Sequence, residues 1–210
     1  MIKAIIFDFD GVIIESFDIK TRAFRELFKI YPLHVEDIVE YHKQNGGVSR
    51  YKKFEYIHSN ILKKPLDEAT IKELGEKFSE LVIEEVKKCP YVPGVLDFIR
   101  ERSKNSRLFI ASGTPEDELR TIVEARGLSG YFKGIHGSPA TKSEIIMQIL
   151  KSEKLKREEV IFIGDTITDH REAVKAKVQF LARISDQSNN PLLELPVLKV
   201  HDFYELNSKI

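Results

Sequence analysis

Four carboxylates, a hydroxyl and a lysine stand at places in this chain from which they could work together on phosphorus. Asp8 and Asp10, separated by Phe9, directly follow the apolar run Ala4-Ile5-Ile6-Phe7. Ser112, Gly113 and Thr114 follow Leu108-Phe109-Ile110-Ala111; Gly164, Asp165 and then Asp169 follow Val160-Ile161-Phe162-Ile163. Lys142 opens a helical pattern after a weaker apolar segment at 134–137. Carboxylates packed together repel one another and cannot all stay ionised unless a cation neutralises them. Oxygen-only ligands select a hard ion, and Mg²⁺ suits a few carboxylates plus a substrate phosphate. Ser112, Thr114 and the free amides of the helix opened by Pro115 suit a phosphate, because unsatisfied N–H groups and the helix dipole favour anions. Lys142 adds positive charge where a phosphoryl group in transfer gains negative charge. The chemistry described is phosphoryl transfer.

These residues converge only if the runs that precede them are neighbouring strands. The runs at 4–7, 108–111, 160–163 and 179–182 are continuously apolar, as strands buried on both faces of a parallel sheet are, and 134–137 is a weaker fifth. Helical patterns lie between them. Leu119, Ile122 and Val123 share one face after the start signal Thr114-Pro115-Glu116-Asp117, with Thr114 as the expected N-cap, and Gly127 closes that helix. Ile145, Ile146, Ile149 and Leu150 repeat at helical spacing. The alternation predicts an α/β fold, a Rossmann-like three-layer core on a parallel five-stranded sheet, with ligands bound beyond the carboxyl ends of the strands. Residues 16–89 break the alternation. They show helical periodicity and no strand, most clearly at 67–88, where Ile71, Leu74, Phe78, Leu81, Val82 and Val86 share a side. The expected organisation is a catalytic core of residues 1–15 and 90–210 and an inserted all-helical cap at 16–89, whose two connectors act as a hinge. Residues 197–210 read as a short strand and a capped terminal helix.

Composition bounds the partners. Lys plus Arg and Asp plus Glu each number 33, so net charge is zero, which argues against a nucleic-acid binder. The single cysteine, Cys89, rules out an intramolecular disulfide and a cysteine-based zinc cluster. No segment approaches the ~18 apolar residues of a membrane span. The expectation is a cytoplasmic protein without membrane or nucleic-acid partners, a monomer by default with a dimer left open, acting on a small phosphorylated metabolite.

Phe7-Asp8-Phe9-Asp10-Gly11-Val12 resembles the first motif of the haloacid dehalogenase (HAD) superfamily. Ala111-Ser112-Gly113-Thr114, Lys142 and Gly164-Asp165-Thr166-Ile167-Thr168-Asp169 resemble its second, third and fourth, in order. The layout is similar to phosphoglycolate phosphatases and β-phosphoglucomutases, which carry a helical cap after the first motif. The resemblance implies roles. Asp8 is the nucleophile, and Asp10 protonates the leaving oxygen and then activates water. Ser112, Gly113 and Lys142 hold the phosphate, Lys142 also orienting Asp8. Mg²⁺ takes the side chain of Asp8, the backbone carbonyl of Asp10 and Asp165, with Asp169 a further ligand or an anchor behind them. Alternation along a strand puts positions 8 and 10 on one side, which gives the one-residue gap its purpose.

Keeping the second acid, Asp10, favours phosphate-ester chemistry over dehalogenation. A sugar-phosphate mutase of the same family is the alternative; such mutases tend to carry an acid where this chain has Gly164. From another class, a phosphoacceptor signalling module or a non-catalytic binding protein shares the strand-end acids, but a signalling module needs neither Asp10 nor so large an insertion. In the cap, Gly47 and Arg50 belong to a loop, 45–51, that in capped relatives faces the active site. Arg50 is expected either on substrate or, with Lys52 and Lys53, on a solvated helix face. Lys20 and Arg22 carry the same ambiguity. The six histidines show no ligand spacing.

Overall fold

A computed structural model describes residues 1–185 and 190–207. Its centre is a six-stranded, wholly parallel sheet in the order β3-β2-β1-β4-β5-β6. The strands are β1 (Ala4–Phe7), β2 (Arg107–Pro115), β3 (Gly134–Ser138), β4 (Val160–Gly164), β5 (Gln179–Arg183) and β6 (Leu198–Val200). The expected count of five is corrected by β6. That short segment reads as a strand, yet only one of its three residues is buried, and its pairing with β5 at the sheet edge makes it a member.

The continuous apolarity of β1 is explained by burial on both faces. Ile5 and Phe7 pack with α5 (Val95–Arg102), α6 (Glu116–Ala125) and α9 (Phe203–Asn207). Ala4 and Ile6 point the other way, to α7 (Lys142–Ser152) and α8 (Ile167–Ala176). Helices on both faces of a parallel sheet make the three layers. From β1 the chain builds outward to β2 and β3, then returns to build β4 to β6 on the other side. The reversal leaves a crevice beyond the carboxyl ends of β1 and β4, where a doubly wound sheet takes its ligand.

Between β1 and α5 lie α1 (Phe17–Leu27), α2 (Val35–Gln44), α3 (Arg50–Tyr56), a π-helical turn at Ile57–Leu62, and α4 (Glu68–Val86). They are held by aromatic side chains, among them Phe24 and Phe78 with ring centroids 5.0 Å apart and Phe24 and Phe54 at 5.9 Å. Asp67 caps α4 through the Thr70 amide at 2.8 Å. Leu81, expected on its buried side, is 38% exposed. The two connectors pair with each other: Ile14 and Tyr91 form an antiparallel bridge, flanked by Glu15 N–H to the Pro90 carbonyl at 2.9 Å and Val92 N–H to the Ile13 carbonyl at 3.1 Å. Arg126 donates to the carbonyls of Val86 and Cys89 at 2.8 and 2.6 Å, fixing the returning connector to the core. Cys89 is buried beside it, and burial pushes its thiol pKa up, as befits a packing residue. Among the described residues no helix is long and apolar enough to cross a membrane.

Candidate active site

Asp8 leaves the end of β1 with its carboxylate buried and both oxygens held. One accepts from the Phe9 amide at 2.7 Å; the other meets Lys142 Nζ at 2.8 Å. Lys142 stands at the first position of α7, placed by a capping box in which Thr141 and Glu144 satisfy each other's backbone amides. Its Nζ also donates to Asp169 Oδ1 at 2.5 Å. The second oxygen of Asp169 takes Thr166 Oγ1 at 2.6 Å and the Thr166 amide at 3.1 Å, so the residue that holds the lysine also completes the capping box of α8, whose N-cap is Thr166. Gly164 is small for the same reason: a Cβ there would lie 2.4 Å from Asp169 Cβ.

Carboxylate oxygens of Asp8, Asp165 and Asp169 lie within 4.8 Å of one another. Burial, opposed by Lys142 and reinforced by Asp169 and Asp10, pushes Asp8 up to about 7. Burial, with Asp169 and Asp8, drives Asp165 well above the usual carboxylate range. Against the opposing effect of burial, Asp169 and Asp8 hold the Lys142 ammonium above its ordinary value. Asp165 Oδ1 is buried without a hydrogen-bond partner. Gly11 leaves this space clear, since a Cβ there would fall 2.0 Å from Asp165 Oδ2. An orphaned, charge-starved carboxylate oxygen beside a second buried acid fits a hard divalent cation. Both oxygens of Asp169 are engaged, one by Lys142 and the other by Thr166.

Asp10 has a different environment. Its carboxylate accepts from Ser16 Oγ at 2.6 Å, Thr114 Oγ1 at 3.0 Å and Lys20 Nζ at 2.5 Å. Burial alone would raise its pKa, but the Lys20 charge and these hydrogen bonds together hold it below the ordinary value. Thr114 is therefore not the N-cap of α6. That position is Pro115, because β2 runs on to residue 115. Between Ala111 and Pro115 the register slips: four steps along β2 oppose two along β3. Such an irregularity re-aims side chains, here turning Thr114 toward Asp10. Ser112, fully buried, accepts from the Thr114 amide at 3.1 Å.

The loop between α2 and α3 enters the crevice. Gly47, at φ +76°, sits where a Cβ would be 3.1 Å from Lys142 Nζ, and a Cβ on Gly113 would be 2.6 Å from the Gly47 carbonyl. Gly47, Val48 and Gly113 thus border two hollows. One is lined by Asp8, Asp10, Lys20, Arg50, Lys53 and Asp165, the other by Ser112, Lys142 and Thr141. Arg50 is not on a solvated face. Its guanidinium is buried, donating to Glu118 Oε1 of α6 at 2.5 Å and to Ser79 Oγ of α4 at 2.8 Å. Lys53 is equally buried, Lys52 exposed, and Arg22 pairs with Glu85 on the surface. Breaking one side of a buried pair is costly, so Glu118→Gln should lower stability by about 3 kcal/mol. The check is the urea midpoint, and an unchanged midpoint would remove this pair from what holds the helices to the core.

The family model for haloacid dehalogenase-like hydrolases matches residues 5–183. The chain belongs to that family. Three solved HAD structures have the same fold over nearly their whole length. β-Phosphoglucomutase from Clostridium difficile superposes with a TM-score of 0.79 at 20% identity, covering 100% of this chain and 97% of the other. CbbY from Rhodobacter sphaeroides, in complex with phosphate, gives 0.78 at 19%, covering 98% and 96%. A predicted phosphoglycolate phosphatase from Haemophilus somnus gives 0.76 at 15%, covering 99% and 97%. At these identities the likeness is one of fold. Within the HAD frame, the structure gathers Asp8, Asp10 and Asp165 at one hollow and Ser112 at the other; Gly113 borders both, and Lys142, lining the second, reaches Asp8 and Asp169. Ser16 and Lys20 carry a sequence signal: at i and i+4 across the start of α1 they share a face, which meets Asp10. The buried neighbours His42 and Lys53 had none, being joined only by helix packing.

Proposed function

We propose that the chain is a Mg²⁺-dependent phosphatase that hydrolyses a small phosphomonoester through an aspartyl-phosphate at Asp8. One observation carries the reading: a buried Asp8, both oxygens oriented, beside an Asp165 oxygen that has no partner. Asp8, Asp165 and, by family resemblance, the Asp10 carbonyl would hold Mg²⁺, which when bound neutralises the acids and the charge of the transferring phosphate. Asp8 attacks phosphorus with one carboxylate oxygen as the bond to the leaving oxygen breaks; Asp10 gives that oxygen its proton. Asp10, again a carboxylate, then takes a proton from water, which attacks the aspartyl-phosphate, releases phosphate and restores Asp8. The low pKa of Asp10 suits the second step; for the first, the negative phosphate nearby raises its proton affinity against Lys20. Lys142 steadies Asp8 and, with Ser112 and the Gly113 amide, the phosphoryl oxygens. Helices α1 to α4 act as a specificity cap on a core of residues 1–15 and 90–210, with Gly47 and Arg50 bordering the space for the leaving group. For phosphate to reach both Asp8 and Ser112, the Gly47 loop must withdraw, so the cap opens and closes once per turnover. A cytoplasmic monomer acting on a small phosphorylated metabolite completes the reading.

The test is a phosphate-release screen over small phosphate esters with and without Mg²⁺. Release that requires Mg²⁺ is expected. Exchange of phosphate between sugar positions without net release would assign a mutase instead, and no reaction with any ester would overturn the proposal.

A further inference from the structure

Three cations of the inserted helices line the cavity that runs from Asp8: Lys20, Arg50 and Lys53. Two are matched by acids, Lys20 by Asp10 at 2.5 Å and Arg50 by Glu118 at 2.5 Å. Lys53 is not. Only 3% of it is exposed, and its contacts are His42 Nδ1 at 3.0 Å, the His42 carbonyl at 3.4 Å and the face of Phe24 at 5.5 Å. Among the described residues no carboxylate pairs with it. Burying an ammonium without a counter-charge is unfavourable, and burial, then Lys20, pushes Lys53 down to about 7.

His42 repeats the pattern. It is 4% exposed, stacked on Phe24 at 4.3 Å, and held neutral by burial and by Lys53, its pKa pushed down to about 2. With Nδ1 accepting from Lys53, the ring hydrogen belongs on Nε2, which has no partner. A cation without an acid and an N–H without an acceptor thus occur on two adjacent residues, both lining the cavity that contains Asp8. The remaining walls include Phe17, Phe24 and Phe78. The space is about 60 Å³, suited to a short carbon chain with a polar end.

Resting on the phosphatase reading above, we propose that the substrate's leaving group carries a second anion, a carboxylate or a phosphate, which Lys53 and His42 receive while Asp8 takes the phosphoryl group. Lys53 and His42 are then specificity residues, and the substrate is a short phosphomonoester with two charged ends.

The experiment compares kcat/KM for phosphoglycolate, fructose bisphosphate and ethyl phosphate in Mg²⁺. Wild-type protein should prefer at least one of the two-ended esters to ethyl phosphate by tenfold or more, and whichever is preferred identifies the anion. In Lys53→Met that preference ratio should fall at least tenfold. A wild-type ratio near one, or a ratio unmoved in folded Lys53→Met, overturns the subsite; the wild-type ratio decides the matter even if the variant does not fold. Failure of the phosphatase reading looks different, since then none of the three esters releases phosphate. Calorimetry on Asp8→Asn with Mg²⁺ still tests the subsite in that case. Phosphoglycolate or fructose bisphosphate should bind at least tenfold more tightly than ethyl phosphate, and equal affinities would overturn it.

Discussion

Asp8→Asn is expected to lower kcat for phosphate release by about ten-thousandfold or more, the scale seen when a covalent nucleophile is removed. The amide is nearly isosteric, and it can still accept from the Phe9 amide that now meets Asp8 at 2.7 Å. Lys142 keeps a carboxylate partner in Asp169 at 2.5 Å, so the fold should survive. What is lost is the anionic oxygen that forms the bond to phosphorus. Acid-quenched mass spectrometry during turnover should detect a phosphate adduct on the wild type and none on the variant. A variant retaining a tenth of the activity would mean that another group performs the attack.

Magnesium should matter most where the acids are most strained. Asp8 has an ordinary value of 3.8 and a folded value of about 7, and Asp165 is raised as well. An acid with a raised folded pKa holds its proton better in the native state. Its contribution to stability is complete below the unfolded value and is lost as pH rises through the folded one. Metal-free protein should therefore lose stability between about pH 4 and pH 7 relative to the magnesium-bound form. The quantity to measure is the difference in Tm with and without Mg²⁺, which removes the titrations common to both forms. It should be near zero at pH 4 and grow to several degrees by pH 7, since about 1 kcal/mol moves Tm by about 2–4 °C in a chain of this size. Chelation at pH 7 should abolish activity together with this shift. A Tm difference independent of pH would show that the ion binds elsewhere.

Much of this site was legible because its parts are local signals. An apolar run ending in Asp8 and Asp10 fixes a strand end, and the same holds for Ser112 and for Gly164 and Asp165; three such ends in a parallel sheet must share an edge. The sixth strand was a weaker signal because an exposed edge needs no continuous apolarity, as Leu198 shows at 44% exposure. Thr-Pro-Glu is a helix-start pattern, which makes Thr114 the expected cap. The structure uses its hydroxyl on Asp10 instead, a choice set by the slipped register of β2 and β3. Arg50 was beyond reach for another reason. Whether a basic side chain faces water or an acid on a distant helix depends on docking, and Arg50 and Glu118, 68 positions apart, share no periodic trace of that contact.

The pairing of Ile14 with Tyr91 has a consequence for how such proteins diversify. Everything between residues 15 and 90 leaves and rejoins the sheet at one stem, so the sheet bears almost no topological cost for what the insertion contains. Closing a long loop costs little more than closing a short one, because the entropy grows only logarithmically with length. The stem makes the insertion a module. Its outer helices can be expected to tolerate lengthening or rebuilding while Asp8 and Asp165 keep their places; α1 is the exception, since Ser16 and Lys20 hold Asp10.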